Sequence, residues 1–275
     1  MLICGKHRLD LATPQVMGIL NITPDSFSDG GDFFTPAQAL MRARQMAAEG
    51  AAIIDVGGES TRPGAAAVPV QQELDRVIPV IEAISRELPV VISIDTSKPE
   101  VMREASRAGA GMINDVYALR KEGAMKAARE AGVAVCLMHM QGEPRTMQQA
   151  PIYHDVVAEV KEFLQERIVA CTSAGIPSER LVIDPGFGFG KNLAHNLALL
   201  RNLTAFTSLD VPLLIGLSRK SMIGQILNAE VQDRLYGSLA LAALGAWQGA
   251  ALVRAHDVKA TVQVLQVVSR IKGMN

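Results

Sequence analysis

The chain has 275 residues, with 27 basic and 28 acidic side chains and a formal charge of −1. A balance this even excludes the broad basic field that nucleic acid or an anionic membrane surface requires, although a local cluster of cations can still hold a small anion. Apolar residues make up 49%, the globular range, and the length suits one eightfold α/β barrel or two smaller domains. Three cysteines, Cys4, Cys136 and Cys171, are odd in number and fit neither a disulfide framework nor a zinc site. Cys136 lies inside the apolar run Val133–Met138 and reads as a buried, reduced thiol. Met1–Asp10 has no long apolar stretch of the signal-peptide kind. The longest apolar stretch, Leu239–Val253, is broken by Gln248 and two glycines and is shorter than the roughly 18–20 residues of a membrane span. A cytoplasmic protein is the expectation.

In chain order, Leu2–Leu11 with Gly5-Lys6 at its centre reads as a small β-hairpin that plugs the bottom of a barrel. Eight apolar or β-branched runs follow: Val16–Leu20, Ala52–Val56, Val90–Ile94, Gly111–Ile113, Val133–Met138, Leu181–Ile183, Pro212–Leu217 and Ala251–Arg254. Continuous apolar runs mark strands buried on both faces, as parallel strands are. Helical stretches separate them. Pro36–Glu49 opens on Thr35 as N-cap with Pro36 in its first turn; Val70–Glu87 and Lys98–Ala108 come next. Asp155–Ala174 carries Val156, Val157, Val160, Phe163, Leu164 and Ile168 at helical spacing. Gly50, Gly109, Gly132 and Gly175 sit where left-handed C-caps are wanted. No linker, charge block or low-complexity tract interrupts the pattern, so residues 1–275 are expected to form one domain. The pattern predicts a (β/α)₈ barrel with a short N-terminal β-hairpin. A doubly wound sheet would place a Gly-rich turn after the first strand, where this chain has Asn21-Ile22-Thr23-Pro24.

In such a barrel the carboxyl ends of the strands face one pocket. Those ends supply Asn21; Asp55 with the loop Glu59–Gly64; Asp95; Asn114-Asp115; Met138-His139; Asp184–Gly188; Ser218–Ser221; and Arg254–Asp257. A lone Asp at a strand end caps the next helix as readily as it binds a ligand, and Asp55, Asp115 and Asp257 fit that role. Repetition of complementary polar groups at every strand end points instead to a ligand site. Carboxylates Asp95 and Asp184 with the Asn114 amide suit the adjacent N–H donors of a flat, nitrogen-rich ring. Lys220 can donate to the ring's carbonyl, and Met138 and Phe189 can line its faces. Arg62, Arg254 and His256 suit a phosphate or pyrophosphate. Asn21 could complete an Mg²⁺ shell made mostly of phosphate and water oxygens. The segments Thr23–Gly31, around Phe27, and Glu59–Ala67, with Pro63 and Gly64, read as lids.

Several tempting motifs fail. Gly186–Asn192 is not a P-loop, because Pro185 and Asn192 stand where that motif needs Gly and Ser or Thr. It is not a dinucleotide fingerprint either, since its third Gly falls one residue early. His139, His154 and His195 show no metal-ligand spacing, and no nucleophile elbow exists.

Two long signatures, Met17–Gly31 (MGILNITPDSFSDGG) and Asp55–Gly64 (DVGGESTRPG), together with Asp95–Lys98, Ile113–Asp115, Asp184–Lys191, Ser218–Ser221 and Arg254–Asp257, resemble the dihydropteroate synthase family of pterin-binding enzymes. The resemblance covers essentially the whole chain. It implies two substrates, 6-hydroxymethyl-7,8-dihydropterin pyrophosphate and para-aminobenzoate. It implies that Asp95, Asn114, Asp184 and Lys220 hold the pterin, with Met138 and Phe189 beside it. Asn21 would contact Mg²⁺, and Thr61, Arg62, Arg254 and His256 would meet pyrophosphate. Para-aminobenzoate would lie near Phe27, Thr61, Arg62, Pro63, Phe189 and Ser221. A homodimer is implied, with Leu235–Trp247 as an interface that a core helix would explain equally. The nearest alternatives are a pterin-binding methyltransferase domain and a catalytically idle pterin-binding subunit.

Overall fold

The computed structural model describes residues 1–23, 35–60, 67–143, 146–147 and 151–274. The two-residue Gly5-Lys6 turn joins β1 (Leu2–Cys4) to β2 (His7–Leu9), with Leu2 opposite Leu9. The eight apolar runs become eight parallel strands: β3 (Gln15–Asn21), β4 (Ile53–Gly57), β5 (Val91–Asp95), β6 (Met112–Asp115), β7 (Ala134–Met138), β8 (Leu181–Asp184), β9 (Leu214–Ile215) and β10 (Leu252–Ala255). Their order is β8-β7-β6-β5-β4-β3-β10-β9. A parallel bridge between Ile183 and Leu213, with the Ile183 N–H donating to Pro212 O at 3.0 Å, ties the two edge strands and rounds the sheet into a barrel.

Strand β9 is shorter than the run Pro212–Leu217 suggests. Pro212 has no N–H for the ladder, and beyond Gly216 the chain already turns, with the Lys220 N–H donating to Leu217 O at 3.3 Å.

Helices α1 (Pro36–Ala48), α2 (Val70–Glu87), α3 (Pro99–Ala108), α4 (Ala124–Ala131), α5 (Val156–Ser173), α6 (Leu193–Arg201), α7 (Ser221–Leu227), α8 (Leu235–Trp247) and α9 (Val258–Ile271) follow the barrel strands. Local chemistry starts them where expected. Thr35 and Gln38 form a reciprocal capping box on α1, and Asp155 accepts from the N–H groups of Val157 and Ala158 to open α5.

Period two sorts each strand's side chains. One set, including Ile54, Val56, Ile92, Ile94, Val135 and Ile183, packs outward against helix residues such as Val77, Ile81, Val101 and Leu164. The other set points into the barrel. Its lowest layer is wholly apolar: Met17, Ile53, Val91, Met112, Ala134, Val182, Leu214 and Leu252. Leu2 and Cys4 from the hairpin are buried against that layer, so the hairpin does plug the bottom. The fit is close. A Cβ on Gly111 would stand 2.7 Å from Cys4 O, which only glycine avoids. Burial pushes the Cys4 thiol up to about 12, and all three cysteines are free and buried.

Candidate active site

Two residues further along five of the strands, β4, β5, β6, β8 and β10, the inner face becomes polar. Ile53 gives way to Asp55, Val91 to Ser93 and then Asp95, Met112 to Asn114, Val182 to Asp184, and Leu252 to Arg254. The Arg254 guanidinium joins four of these residues into one network. Its Nε donates to Asp55 Oδ2 at 2.7 Å and its Nη2 to Asp95 Oδ2 at 2.9 Å. Asn114 Nδ2 donates to the same Asp55 oxygen at 3.1 Å. Asp55 is fully buried, and its other oxygen, Oδ1, has no hydrogen-bond partner. The helix-cap reading of Asp55 is therefore wrong: its side chain lies inside the barrel, 199 residues in sequence from the cation it holds. Burial pushes the Asp95 carboxyl up to about 7; Arg254 opposes this, and the neighbouring carboxylates of Asp55, Glu73 and Asp115 reinforce it. For Arg254, burial works against the charge, but Asp55 and Asp95 outweigh it and hold the guanidinium above its ordinary value.

Asp184 ends β8 and controls the turn after it. Its Oδ1 accepts from the Gly186 N–H at 2.7 Å, and its backbone O accepts from the His139 N–H at 2.9 Å. Gly186 adopts φ 69°, and a Cβ there would drive into the His139 carbonyl; both facts demand glycine. Lys220 crosses to this turn from the start of α7. Its Nζ donates to Phe187 O and stands 4.6 Å above the Phe189 ring centroid. Burial pulls the Lys220 ammonium down to about 8, with Asp184 opposing and Arg254 reinforcing the shift. Burial likewise raises the Asp184 carboxyl, against Lys220 and the Gly186 N–H. Beside these groups Val116, Met138, Met140 and Met147 form a separate apolar cluster, with Tyr117 and Phe189 packed on it.

Asn21 closes β3, and its Oδ1 lies beside Gly57, which also adjoins Asp95. Among the described residues no three His, Cys, Asp or Glu side chains gather into a metal cage. A neutral oxygen at Asn21 suits an ion held mainly by phosphate and water. His256 Nδ1 meets Ser218 Oγ at 3.0 Å. Ser221 is exposed at the first position of α7. Asp257 stands at the α9 cap position, but its side chain makes no cap bond and takes a bidentate fork from Arg219, at 3.0 and 2.6 Å. Asp115 caps a turn, accepting from the N–H groups of Tyr117 and Leu119 at 3.0 and 2.8 Å. That turn holds Ala118 and Leu119 at φ 52° and 58°.

Phe27, Thr61, Arg62 and Pro63 lie outside the described residues, as does most of the two segments read as lids. The base of the second is in place: Glu59 accepts from the Val68 N–H at 2.9 Å and from Lys98 Nζ at 2.6 Å. Lys98 also pairs with the fully buried Glu73. Asp55, Glu73, Lys98 and Lys191 were not singled out as site residues from sequence. Asp55 had a usable signal, since it stands at an inward position two before the rim in Ile53-x-Asp55-x-Gly57.

Comparison with known proteins agrees with this geometry. The family described as pterin binding enzyme matches residues 17–256, and the chain belongs to it. The dihydropteroate synthase of Escherichia coli K12 is 58% identical over 260 residues, 94% of this chain and 92% of the relative. That of Haemophilus influenzae is 52% identical over 266 residues, 97% of each chain. Among solved structures, a Yersinia pestis dihydropteroate synthase in a sulfonamide drug complex superposes with a TM-score of 0.96 at 51% identity, covering 99% of both chains. The Xanthomonas albilineans dihydropteroate synthase with 4-aminobenzoic acid gives 0.93 at 52% identity, covering 99% of this chain and 98% of the other. Within its family the chain groups with the dihydropteroate synthases.

Proposed function

We propose that the chain catalyses the dihydropteroate synthase reaction. It joins 6-hydroxymethyl-7,8-dihydropterin pyrophosphate to para-aminobenzoate, giving 7,8-dihydropteroate and releasing pyrophosphate. The observation that carries this reading is the set of buried Asn114 and Asp184 with half-buried Asp95 and Lys220 at one end of the barrel, in a chain 58% identical to a named synthase. A pterin-dependent methyltransferase or an idle binding subunit is not favoured, since the relatives named above are all synthases.

Asp184 accepts the ring's adjacent N–H donors, Asn114 reads its edge, and Lys220 donates to its carbonyl. Met138 and Phe189 line its faces. An arylamine is a weak nucleophile, so the main barrier lies in separating pyrophosphate from the methylene carbon, in an S_N1-like step. Arg62 and His256, with Thr61, take the charge that grows on the departing phosphates. Arg254 is engaged by Asp55 and Asp95 in the free protein, so its first task is charge balance; releasing either carboxylate frees it for phosphate. Asp95 faces the positive charge left on the pterin. Phe27, Thr61, Arg62, Pro63, Phe189 and Ser221 receive para-aminobenzoate. When bound, Mg²⁺ at Asn21 would neutralise phosphate charge. No covalent enzyme intermediate is needed.

The working protein is a cytoplasmic homodimer in this reading. Tyr236, Leu244 and Trp247 on α8 are 81%, 50% and 53% exposed, and Val267 and Ile271 stand out on neighbouring α9. Sedimentation of Tyr236→Glu should show more monomer than the parent; an unchanged dimer would put the interface elsewhere. No helix among the described residues is long and apolar enough to cross a membrane. The activity is tested by pyrophosphate release with Mg²⁺ and the pterin pyrophosphate, with and without para-aminobenzoate. Release that depends on the amine and yields dihydropteroate supports the synthase. Pterin binding without product contradicts it.

A further inference from the structure

Lys191 is 2% exposed, and the chemistry above does not use it. Its Nζ reaches Gly186 O at 2.9 Å, Phe189 O at 3.0 Å and His139 Nδ1 at 2.9 Å, with His139 O further off at 3.5 Å. A lysine ammonium has three hydrogens and no lone pair, so three close acceptors match its protonated form. Burial, reinforced by the Lys220 charge, pulls Lys191 well below the usual lysine range; the Asp184 charge opposes that pull, and the acceptors around Nζ are the groups that hold the ammonium. His139 is the complement: burial, then the charge of Lys191, pushes its imidazolium down to about 2, and the neutral ring with its proton on Nε2 accepts at Nδ1.

Two of these acceptors are the ends of a single turn, since the Phe189 N–H donates to Gly186 O at 3.1 Å. Three groups of the pocket take their positions from that turn. Asp184 accepts from its first N–H, Lys220 donates to the Phe187 carbonyl inside it, and the Phe189 ring ends it beneath the Lys220 ammonium. The turn is held from outside as well, by Asn196 Oδ1 on the Gly188 N–H and by the Tyr153 hydroxyl on Gly190 O, both at 2.8 Å. Lys191 is the charged member of that set and binds both ends at once.

We propose that Lys191 is a positioning residue for the synthase reaction: its buried ammonium, seated on neutral His139, clamps the Gly186–Phe189 turn and so sets Asp184, Lys220 and Phe189 around the two substrates. This rests on the reading of the pocket given above. The charge stays near Asp184 without touching substrate, which separates its role from that of Lys220. It also explains why a glycine-rich run ending in lysine, which fails as a phosphate loop, carries a lysine at all.

The test is Lys191→Met, which keeps the stem and removes the three donors, measured beside Phe189→Ala and the double variant. The dissociation constant of a pterin and the KM for para-aminobenzoate should each rise about tenfold or more in Lys191→Met, because misplacing a binding group by about 1 Å costs up to about 100-fold. In the Phe189→Ala background, Lys191→Met should add little to the KM for para-aminobenzoate, because both changes disturb the same element. Unchanged constants in folded Lys191→Met, or effects on that KM that multiply fully with those of Phe189→Ala, would overturn the clamp. If Lys191→Met does not fold, His139→Leu and His139→Asn decide the matter. Leucine removes one acceptor and should raise both constants several-fold, while the Asn Oδ1 replaces Nδ1 and should restore them. Wild-type constants in His139→Leu, or no rescue by Asn, would overturn it. If Phe189→Ala itself leaves both constants alone, the reading of the pocket fails first and the clamp falls with it.

Discussion

The lower and upper halves of the barrel interior are built by the same eight strands and differ in almost every physical respect. The lower half is a dry layer running from Met17 to Leu252, sealed by Leu2 and Cys4. The upper half holds Asp55, Asn114 and Asp184, all buried, with Asp95, Lys220 and Arg254 half-buried beside them. Moving two residues along a strand changes an apolar contact that favours folding into a desolvated charge that opposes it. Asp55 shows the cost plainly, with one carboxylate oxygen spent on Arg254 and Asn114 and the other left without a partner. The lower half answers for stability, and the upper half trades stability for recognition.

Substitutions in the two halves should therefore separate. The largest effect is expected at Asp184→Ala, which removes the acceptor proposed for the ring and the partner of the Gly186 N–H; pterin affinity should fall at least about 100-fold, the scale of a lost charged hydrogen-bond partner. Next is Asp55→Ala. It strands Arg254 and Asn114, and breaking a buried pair costs about 3–5 kcal/mol; thermal melting and kcat/KM should both drop. If either stayed at the wild-type value, the network would not join the two properties. Arg62→Ala should cut kcat by about 10–100-fold while pterin affinity holds, since a leaving-group contact acts in the transition state; equal loss of both would make Arg62 a plain binding residue. The smallest effect on activity is expected at Leu2→Ala, which should cost about 2–5 kcal/mol of stability and leave both KM values unchanged.

Acidity gives a second way to separate the halves. Asp95 ionises near 7 and Lys220 loses its proton near 8. If both act charged, kcat/KM is a narrow bell with limbs near those values, and Lys220→Met removes the alkaline limb. Stability moves the other way on the alkaline side. The unfolded chain holds the Lys220 proton up to 10.5 and the folded chain only to about 8. Between those values unfolding takes up a proton, so this residue's contribution to stability rises with pH while activity falls. A kcat/KM that stays flat from pH 6 to 9 would mean that neither group carries the reaction in its charged form.

Much of this was legible from sequence because it is local. Apolar runs placed all eight strands, the Thr35 cap announced α1, and apolar spacing announced α5. The rim residues Asp95, Asn114, Asp184 and Arg254 were legible because a barrel strand delivers its last inward side chain to one end. What escaped was pairing across the chain. Asp55 meets Arg254 from 199 residues away, and Lys191 meets His139 from 52. Neither separation leaves a periodic trace, so Asp55 looked like a helix cap and Lys191 like a spoiled phosphate loop. Strand β9 is shorter than its apolar run because Pro212 gives the ladder no donor and the chain turns after Gly216, a turn that apolar residues do not mark.

The division between the halves is tested most directly by calorimetric titration of a pterin into the wild-type protein, Asp184→Ala and Leu2→Ala at a temperature where all three are folded. Wild-type affinity in Leu2→Ala, with binding lost or weakened at least about 100-fold in Asp184→Ala, is the expected result. Unchanged affinity in Asp184→Ala, or lost affinity in folded Leu2→Ala, would contradict it.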